Sequence, residues 1–226
     1  MFIMKLKSTI FSLAALAVAG LSANGATVVT SYSTVTGADD NNQAGPMFGQ
    51  SITVNVGADT ADGSIPATVY LTELSFQYSS SASGGTLSNA YIHVYDAFAV
   101  DGDNTPSTIG NLVAVSTSTV SSGAANGTLT WTFGGDAISK STAYTYVFAS
   151  TTTAQTVADS SGLVGAGIEL NTGNPYTGGR AFRANGTTTD WDFAFEMKTS
   201  TTPVPEPSAA LLGGLGLLAL LRRRRA

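Results

Sequence analysis

The 226-residue chain contains no cysteine and a single histidine, and only 11% of its residues are charged. Without cysteine, thiol catalysis, cysteine-ligated zinc and iron–sulfur chemistry are all excluded. His93 alone gives too few ligands for a zinc site, and a Ser–His–Asp triad would rest on that one ring. No Gly-x-Ser-x-Gly elbow accompanies it. No Gly-Lys-Ser/Thr follows a glycine-rich stretch, so phosphate-cradling nucleotide binding is unsupported. No period of 20–50 residues recurs, which argues against a solenoid or a propeller. No apolar run reaches the roughly 20 residues of an ordinary membrane-spanning helix.

The scarce basic residues are unevenly placed. Lys5, Lys7 and Arg222 to Arg225 lie near the ends, leaving Lys140, Arg180, Arg183 and Lys198 in the middle. Residues 27–200 hold four basic residues against fourteen acidic ones, a net charge of −10. Such a surface repels phosphate backbones, so no nucleic-acid partner is expected. It suits solubility outside the cell.

Both ends read as processing segments. Residues 1–26 combine Lys5 and Lys7 with an apolar run from Ile10 to Leu21 and a small-residue exit at Ser22-Ala-Asn-Gly-Ala26. Those are the three parts of a secretory signal peptide, with cleavage expected after Gly25 or Ala26 by a signal peptidase. Residues 201–208 form a Thr/Pro linker in which Pro203, Pro205 and Pro207 forbid helix and sheet alike. Residues 209–221 are a short apolar segment, about 20 Å long if helical, and 222–226 an Arg-rich tail. Arg222, Arg223, Arg224 and Arg225 act as a membrane stop and stay cytoplasmic by the positive-inside rule, so the domain faces outward.

At Val204-Pro205-Glu206-Pro207, followed by the Gly/Leu-rich span and the Arg cluster, the chain resembles the PEP-CTERM sorting tail. The same tail is also known under an ice-binding-protein C-terminal label, although nothing in that label makes the chain an ice binder. The resemblance implies recognition by exosortase, a transpeptidase-like membrane protease of Gram-negative bacteria. It further implies transient anchoring in the inner membrane, cleavage near Glu206, and transfer to the cell surface or extracellular matrix.

Residues 27–200 are rich in Thr, Ser, Gly, Val and Tyr, which favours short strands over helices. Tyr70, Thr72, Leu74, Phe76 and Tyr78 alternate with Leu71, Glu73, Ser75 and Gln77. Leu129, Trp131 and Phe133 alternate with threonines. Tyr144, Tyr146 and Phe148 oppose Thr145 and Val147, and Trp191, Phe193, Phe195 and Met197 oppose Asp190, Asp192, Ala194 and Glu196. A period of two marks half-buried antiparallel strands. Asn126-Gly127, Gly134-Gly135, Thr177-Gly-Gly and Asn185-Gly186 read as turns between them. Eight to ten strands are expected, near 27–35, 48–56, 68–79, 86–96, 112–120, 127–133, 142–150, 163–170, 179–184 and 190–198. A single all-β, jelly-roll-like antiparallel sandwich buries these faces. The order Leu74 to Tyr78, Ile92 to Asp96, Leu129 to Phe133 and Tyr144 to Phe148 is similar to the choice-of-anchor β-sandwich ectodomains and to carbohydrate-binding jelly rolls.

Few residues in this middle point to chemistry. His93, between Ile92 and Val94, reads as a structural or surface residue. Glu73, Asp190, Asp192 and Glu196 are the acids that a glycosidase-type pair could draw on, although acids alternating along a strand normally face water. Asp96, Asp101, Asp103 and Asn104 gather hard oxygen ligands as calcium loops do, without EF-hand spacing, and an Asp/Asn/Gly-rich turn explains them as well. Trp131 and Trp191 read as core, which leaves Tyr70, Tyr91, Tyr95 and Tyr176 as candidates for an exposed sugar-stacking platform. No catalytic or metal site is assigned. A non-enzymatic structural or adhesive surface protein is expected. The alternative is a carbohydrate-binding module or glycan-active hydrolase that meets extracellular polysaccharide.

Overall fold

The computed structural model describes residues 26–33, 37–40, 48–54, 65–78, 87–100, 106–121, 127–155, 167–172, 176–183 and 191–204. These residues contain strands and no helix. In chain order the strands are β1 (Thr27–Tyr32), β2 (Gly37–Asp40), β3 (Phe48–Thr53), β4 (Thr68–Gln77), β5 (Tyr91–Tyr95), β6 (Phe98–Val100) and β7 (Pro106–Ile109). They continue with β8 (Leu112–Val115), β9 (Thr128–Ser139), β10 (Ala143–Ala149), β11 (Gly167–Thr172), β12 (Ala181–Arg183), β13 (Trp191–Phe193) and β14 (Phe195–Ser200).

Two antiparallel sheets carry the fold, ordered β1-β14-β4-β9 and β12-β3-β10-β5-β8. Smaller sheets, β13-β11-β2 and β6-β7, complete it. Set aside β2, β6, β7, β11, β12 and β13, and the remaining eight strands fall into two sheets in the order 1-8-3-6 and 2-7-4-5. Each step along the chain changes sheet, except β5 to β8, which are neighbours. That arrangement is an all-β jelly roll.

Its core lies between the two large sheets. Phe76 of β4 meets Phe148 of β10 with ring centroids 5.1 Å apart, and Trp131 of β9 meets Phe148 edge-on at 5.5 Å. Trp131 is fully buried and donates its indole N–H to the carbonyl of Ala90 at 2.7 Å, so its one polar atom is satisfied inside the core. The hydroxyl of Tyr146 points across to Met197 Sδ at 3.2 Å. The tract Ser116 to Ser121 straps the open side: Thr117 N donates to Thr132 O, and Thr132 N to Ser118 Oγ, joining β8's exit to β9.

Four sequence expectations require correction. Along β4, Val69 and Leu71 are buried, and so are Leu74, Phe76 and Tyr78. Leu71 therefore shares the inner face with Leu74, and Tyr70 and Thr72 do not. The cause is a β-bulge against β14: Thr199 pairs with Leu71 and Lys198 with Glu73, so Thr72 is the extra residue that flips the alternation. Gly134-Gly135 is not a turn; it lies inside β9, opposite that bulge, with Gly135 at φ +89°. The last predicted strand is two. Ala194 separates β13, paired with β11, from β14, paired with β4 and β1. Asp192, expected to face water, is buried there.

Candidate functional site

The outer face of β1-β14-β4-β9 holds a shallow groove of about 570 Å³. Because the inward positions of these strands take the apolar side chains, the outward positions carry Ser31, Glu196, Lys198, Glu73, Ser75, Gln77, Thr128 and Thr130. Lys198 Nζ reaches Glu73 Oε1 at 2.5 Å and Glu196 Oε1 at 3.2 Å. The hydrogen bond to Glu73, then that to Glu196, holds the ammonium above its ordinary pKa. Both carboxylates touch one ammonium, so no more than about 6 Å separates these two oxygens. Ser75 and Thr130 hydroxyls meet at 2.8 Å. Phe76 and Phe195 reach the groove floor, but both are buried and belong to the core.

The aromatic platform anticipated from sequence does not assemble. Tyr95 and Tyr176 are buried; Tyr70 and Tyr91 are half-exposed but stand on different sheets. Trp191 is half-buried and packs against the edge of the core.

A buried polar cluster replaces the expected row of solvated acids. Gln50 Nε2 on β3 donates to Asp192 Oδ1 at 2.9 Å, and Gln50 Oε1 accepts from Phe193 N at 2.9 Å. Tyr176 N donates to Asp192 Oδ2 at 2.9 Å, while the Tyr176 hydroxyl donates to Thr53 O at 2.7 Å. Burial raises the Asp192 pKa to about 6, against the opposing pull of the Gln50 and Tyr176 bonds. Donors at both oxygens favour the ionised form against that burial. The carboxyl group ties β13 to β3 with no opening to solvent, and Glu73 and Glu196 lie elsewhere, in the groove. Asp190 lies outside the described residues.

His93 is buried as well. Its Nε2 lies 2.7 Å from the Thr151 carbonyl, which can only accept, so that nitrogen carries the proton. Nδ1 then accepts from the Tyr95 hydroxyl at 3.2 Å. Tyr95 in turn accepts from Gln155 N at 2.8 Å, so the pair clamps segment 151–155 onto the sheet. Burial pushes the imidazole pKa down, the Thr151 bond only partly offsetting it. This is a structural histidine.

Of the calcium-loop candidates, Asp96 spends Oδ1 on Asn111 N (2.7 Å) and Oδ2 on Asn111 Nδ2 (3.1 Å). Asp101, Asp103 and Asn104 fall between β6 and β7, outside the described residues. Among the described residues no group of three metal-ligating side chains occurs.

The beginning of the C-terminal segment is part of the folded surface. Thr201 N donates to Ala26 O at 3.0 Å, continuing the β1–β14 pairing past Thr27 and Ser200. Ser200 Oγ donates to Thr202 O at 2.8 Å and accepts from Thr202 N at 3.2 Å. Val204 lies over Gly135. Pro205, Glu206, Pro207 and Arg222 to Arg225 are outside the described residues, as are residues 1–25. Among the described residues no helix is long and apolar enough to cross a membrane.

No curated protein and no solved structure matches the chain. Residues 203–225, leaving the domain beside Gly135, are a PEP-CTERM protein-sorting motif, and the motif implies an exported protein that an exosortase recognises and processes.

Proposed function

We propose that the jelly roll is a non-enzymatic structural and adhesive module of the cell surface or extracellular matrix. In this reading it contacts hydroxyl-rich polysaccharide through the outer groove of β1-β14-β4-β9. One observation carries the reading: where the groove lies relative to the anchored end. The sorting segment leaves after Ser200, beside Ala26. The groove runs toward the opposite end of the same strands, to Ser33, Gln77 and Thr128. A domain held by its tail therefore turns this groove away from the membrane. Its hydroxyls, amide and paired charges suit hydrogen bonding to sugars rather than ring stacking.

The test is binding of the mature protein to immobilised matrix polysaccharides, compared with Gln77→Ala and Thr130→Ala. About tenfold weaker binding in the double variant, the cost of one or two hydrogen bonds, is expected. Equal binding by both proteins would remove the groove from the interaction. Glycan hydrolysis is a second reading, because Glu73 and Glu196 share one ammonium, which keeps their two oxygens within about 6 Å, a range that includes the roughly 5–5.5 Å of retaining glycosidase acids. Lys198 stands between them, where a sugar oxygen would have to enter, so adhesion is preferred. Sugar release that Glu73→Gln and Glu196→Gln both abolish would reverse that order.

A further inference from the structure

We propose that Gly135, outside the sorting motif, is a positioning residue for tail processing: the bulge of β9 seats Val204 and withholds the residues just upstream of Glu206 from the protease. The seat is specific. A Cβ placed on Gly135 would lie 2.7 Å from Val204 Cβ, 3.1 Å from its Cγ2 and 3.5 Å from its backbone nitrogen. Only a residue without a side chain lets Val204 close on the backbone there. Gly135 also has φ +89°, a conformation glycine adopts without strain. In β9, Phe133, Gly134 and Gly135 together oppose the single Thr72 of β4, and that irregularity carries the seat.

Val204 is not held alone. The Thr201–Ala26 bond and the two Ser200–Thr202 bonds fix the three residues before Pro203. Only Pro205 to Ser208 then separate the seat from the apolar run that begins at Ala209. In an extended, proline-rich form those four residues reach about 12 Å, at roughly 3.1 Å per residue. Proteases take their substrates as extended strands, with residues on both sides of the scissile bond hydrogen-bonded in the cleft. With Val204 on Gly135, one side of the chain upstream of a cut near Glu206 lies against the domain, while Pro203 and Val204 keep an exposed side. Releasing Thr201 to Val204 frees four more residues and about another 12 Å of reach. Opening of the seat therefore precedes cleavage, and the folded domain sets its rate.

Gly135→Asn tests this, because asparagine tolerates positive φ better than other residues with a side chain, yet its Cβ collides with Val204. Ser200→Ala is the second variant; it removes both bonds to Thr202 and touches neither Gly135 nor the motif. Tail removal would be followed by pulse-chase and intact mass on the full chain in its native host. Melting temperature would be measured alongside. Each variant should lose its tail about fivefold faster than wild type, the shift expected from losing one small contact in an opening equilibrium, with melting little changed. Purified full chain should also be nicked faster by a non-specific protease between residues 201 and 206, while the jelly roll survives. Unchanged or slower processing in Ser200→Ala, or in a folded Gly135→Asn, overturns the proposal. Wild-type chain that keeps its tail in the host, yet shows faster nicking in the variants, would instead fault the cleavage assignment and leave the seat standing.

Discussion

Gln50 and Asp192 are 142 residues apart in sequence and 2.9 Å apart in space, an amide and a carboxylate bonded where neither is exposed. The pair predicts a distinctive pH response. Burial raises the folded-state pKa of Asp192 to about 6, above the unfolded value of about 3.9. A raised pKa contributes stability that is fully present below the unfolded pKa and is lost as pH rises through the folded one. Between about pH 6 and pH 4, wild type should therefore gain stability from this group, on the order of 3 kcal/mol. Asp192→Asn should remove that gain. Denaturant unfolding at pH 7, 5 and 4 measures it, and identical pH slopes in the two proteins would contradict the assignment.

Removing Gln50 exposes the other side of the same bond. Gln50→Ala leaves a buried carboxylate without one donor and Phe193 N without an acceptor. A cost of about 3 kcal/mol or more is expected at pH 7. The cost should shrink at pH 4, where the carboxyl is neutral and its desolvation is cheaper. A cost that does not change with pH would mean that Asp192 is uncharged at pH 7.

Trp131 and Trp191 separate core from margin. Trp131→Ala should destabilise by about 3–5 kcal/mol, because it opens a cavity among Phe76 and Phe148 and removes the indole's bond to the Ala90 carbonyl, which keeps only Val120 N as a donor. Trp191, half-buried at the sheet edge, should cost about half as much. Equal losses in chemical unfolding would show that Trp191 is as central as Trp131.

Acid acts on His93 in the opposite direction to Asp192. Burial lowers its pKa in the folded protein, so its contribution is fully present above the unfolded value of about 6.5 and is lost as pH falls below it. Protonation also forces Nδ1 to become a donor toward Tyr95, whose hydroxyl now donates to it. The expected readout is earlier proteolytic nicking at residues 151–155 as pH drops from 7.5 to 5.5. His93→Gln should flatten that dependence. A nicking rate independent of pH in wild type would argue that segment 151–155 is held by other contacts.

The parts of this fold that were legible in sequence are those where one strand keeps one partner on each side. Leu129, Trp131 and Phe133 alternate without interruption, and all three are buried as their spacing requires. Leu71 was misread because a bulge at Thr72 resets the period, and a bulge has no reliable residue signature in a strand that contains neither glycine nor proline. The glycine pair that did stand out, Gly134-Gly135, was read as a turn; glycine marks positive φ equally well in a turn and in a bulge. Asp192 was misread for a topological reason. It lies where the chain leaves one sheet for another, so both faces are covered, and Gln50, its partner, is 142 residues away. Strands β2, β6 and β7 were missed because Gly37–Asp40 has no apolar face and the other two are very short. The sorting segment was legible because charge, proline and apolar length follow one another within two dozen residues. Its seat on Gly135 was not, since nothing in either segment names the other.

The sorting segment itself supports a final prediction, resting on length and charge. The run from Ala209 to Leu221, about 20 Å if helical, falls short of a hydrocarbon layer of roughly 30 Å. Such a segment holds poorly by burial alone, so the expectation is that Arg222 to Arg225 act as the cytoplasmic stop, since drawing four guanidinium groups into lipid is costly. Replacing all four with neutral residues should release uncleaved chain from the membrane fraction. Glu206→Ala should do the reverse, leaving the anchor intact while blocking removal of the tail, so that full-length chain accumulates in the membrane. Fractionation of both variants in the native host, with intact mass on each fraction, separates the two roles. Normal cleavage of Glu206→Ala would show that the protease does not read that carboxylate. Undiminished retention without the arginines would show that the apolar run suffices as an anchor.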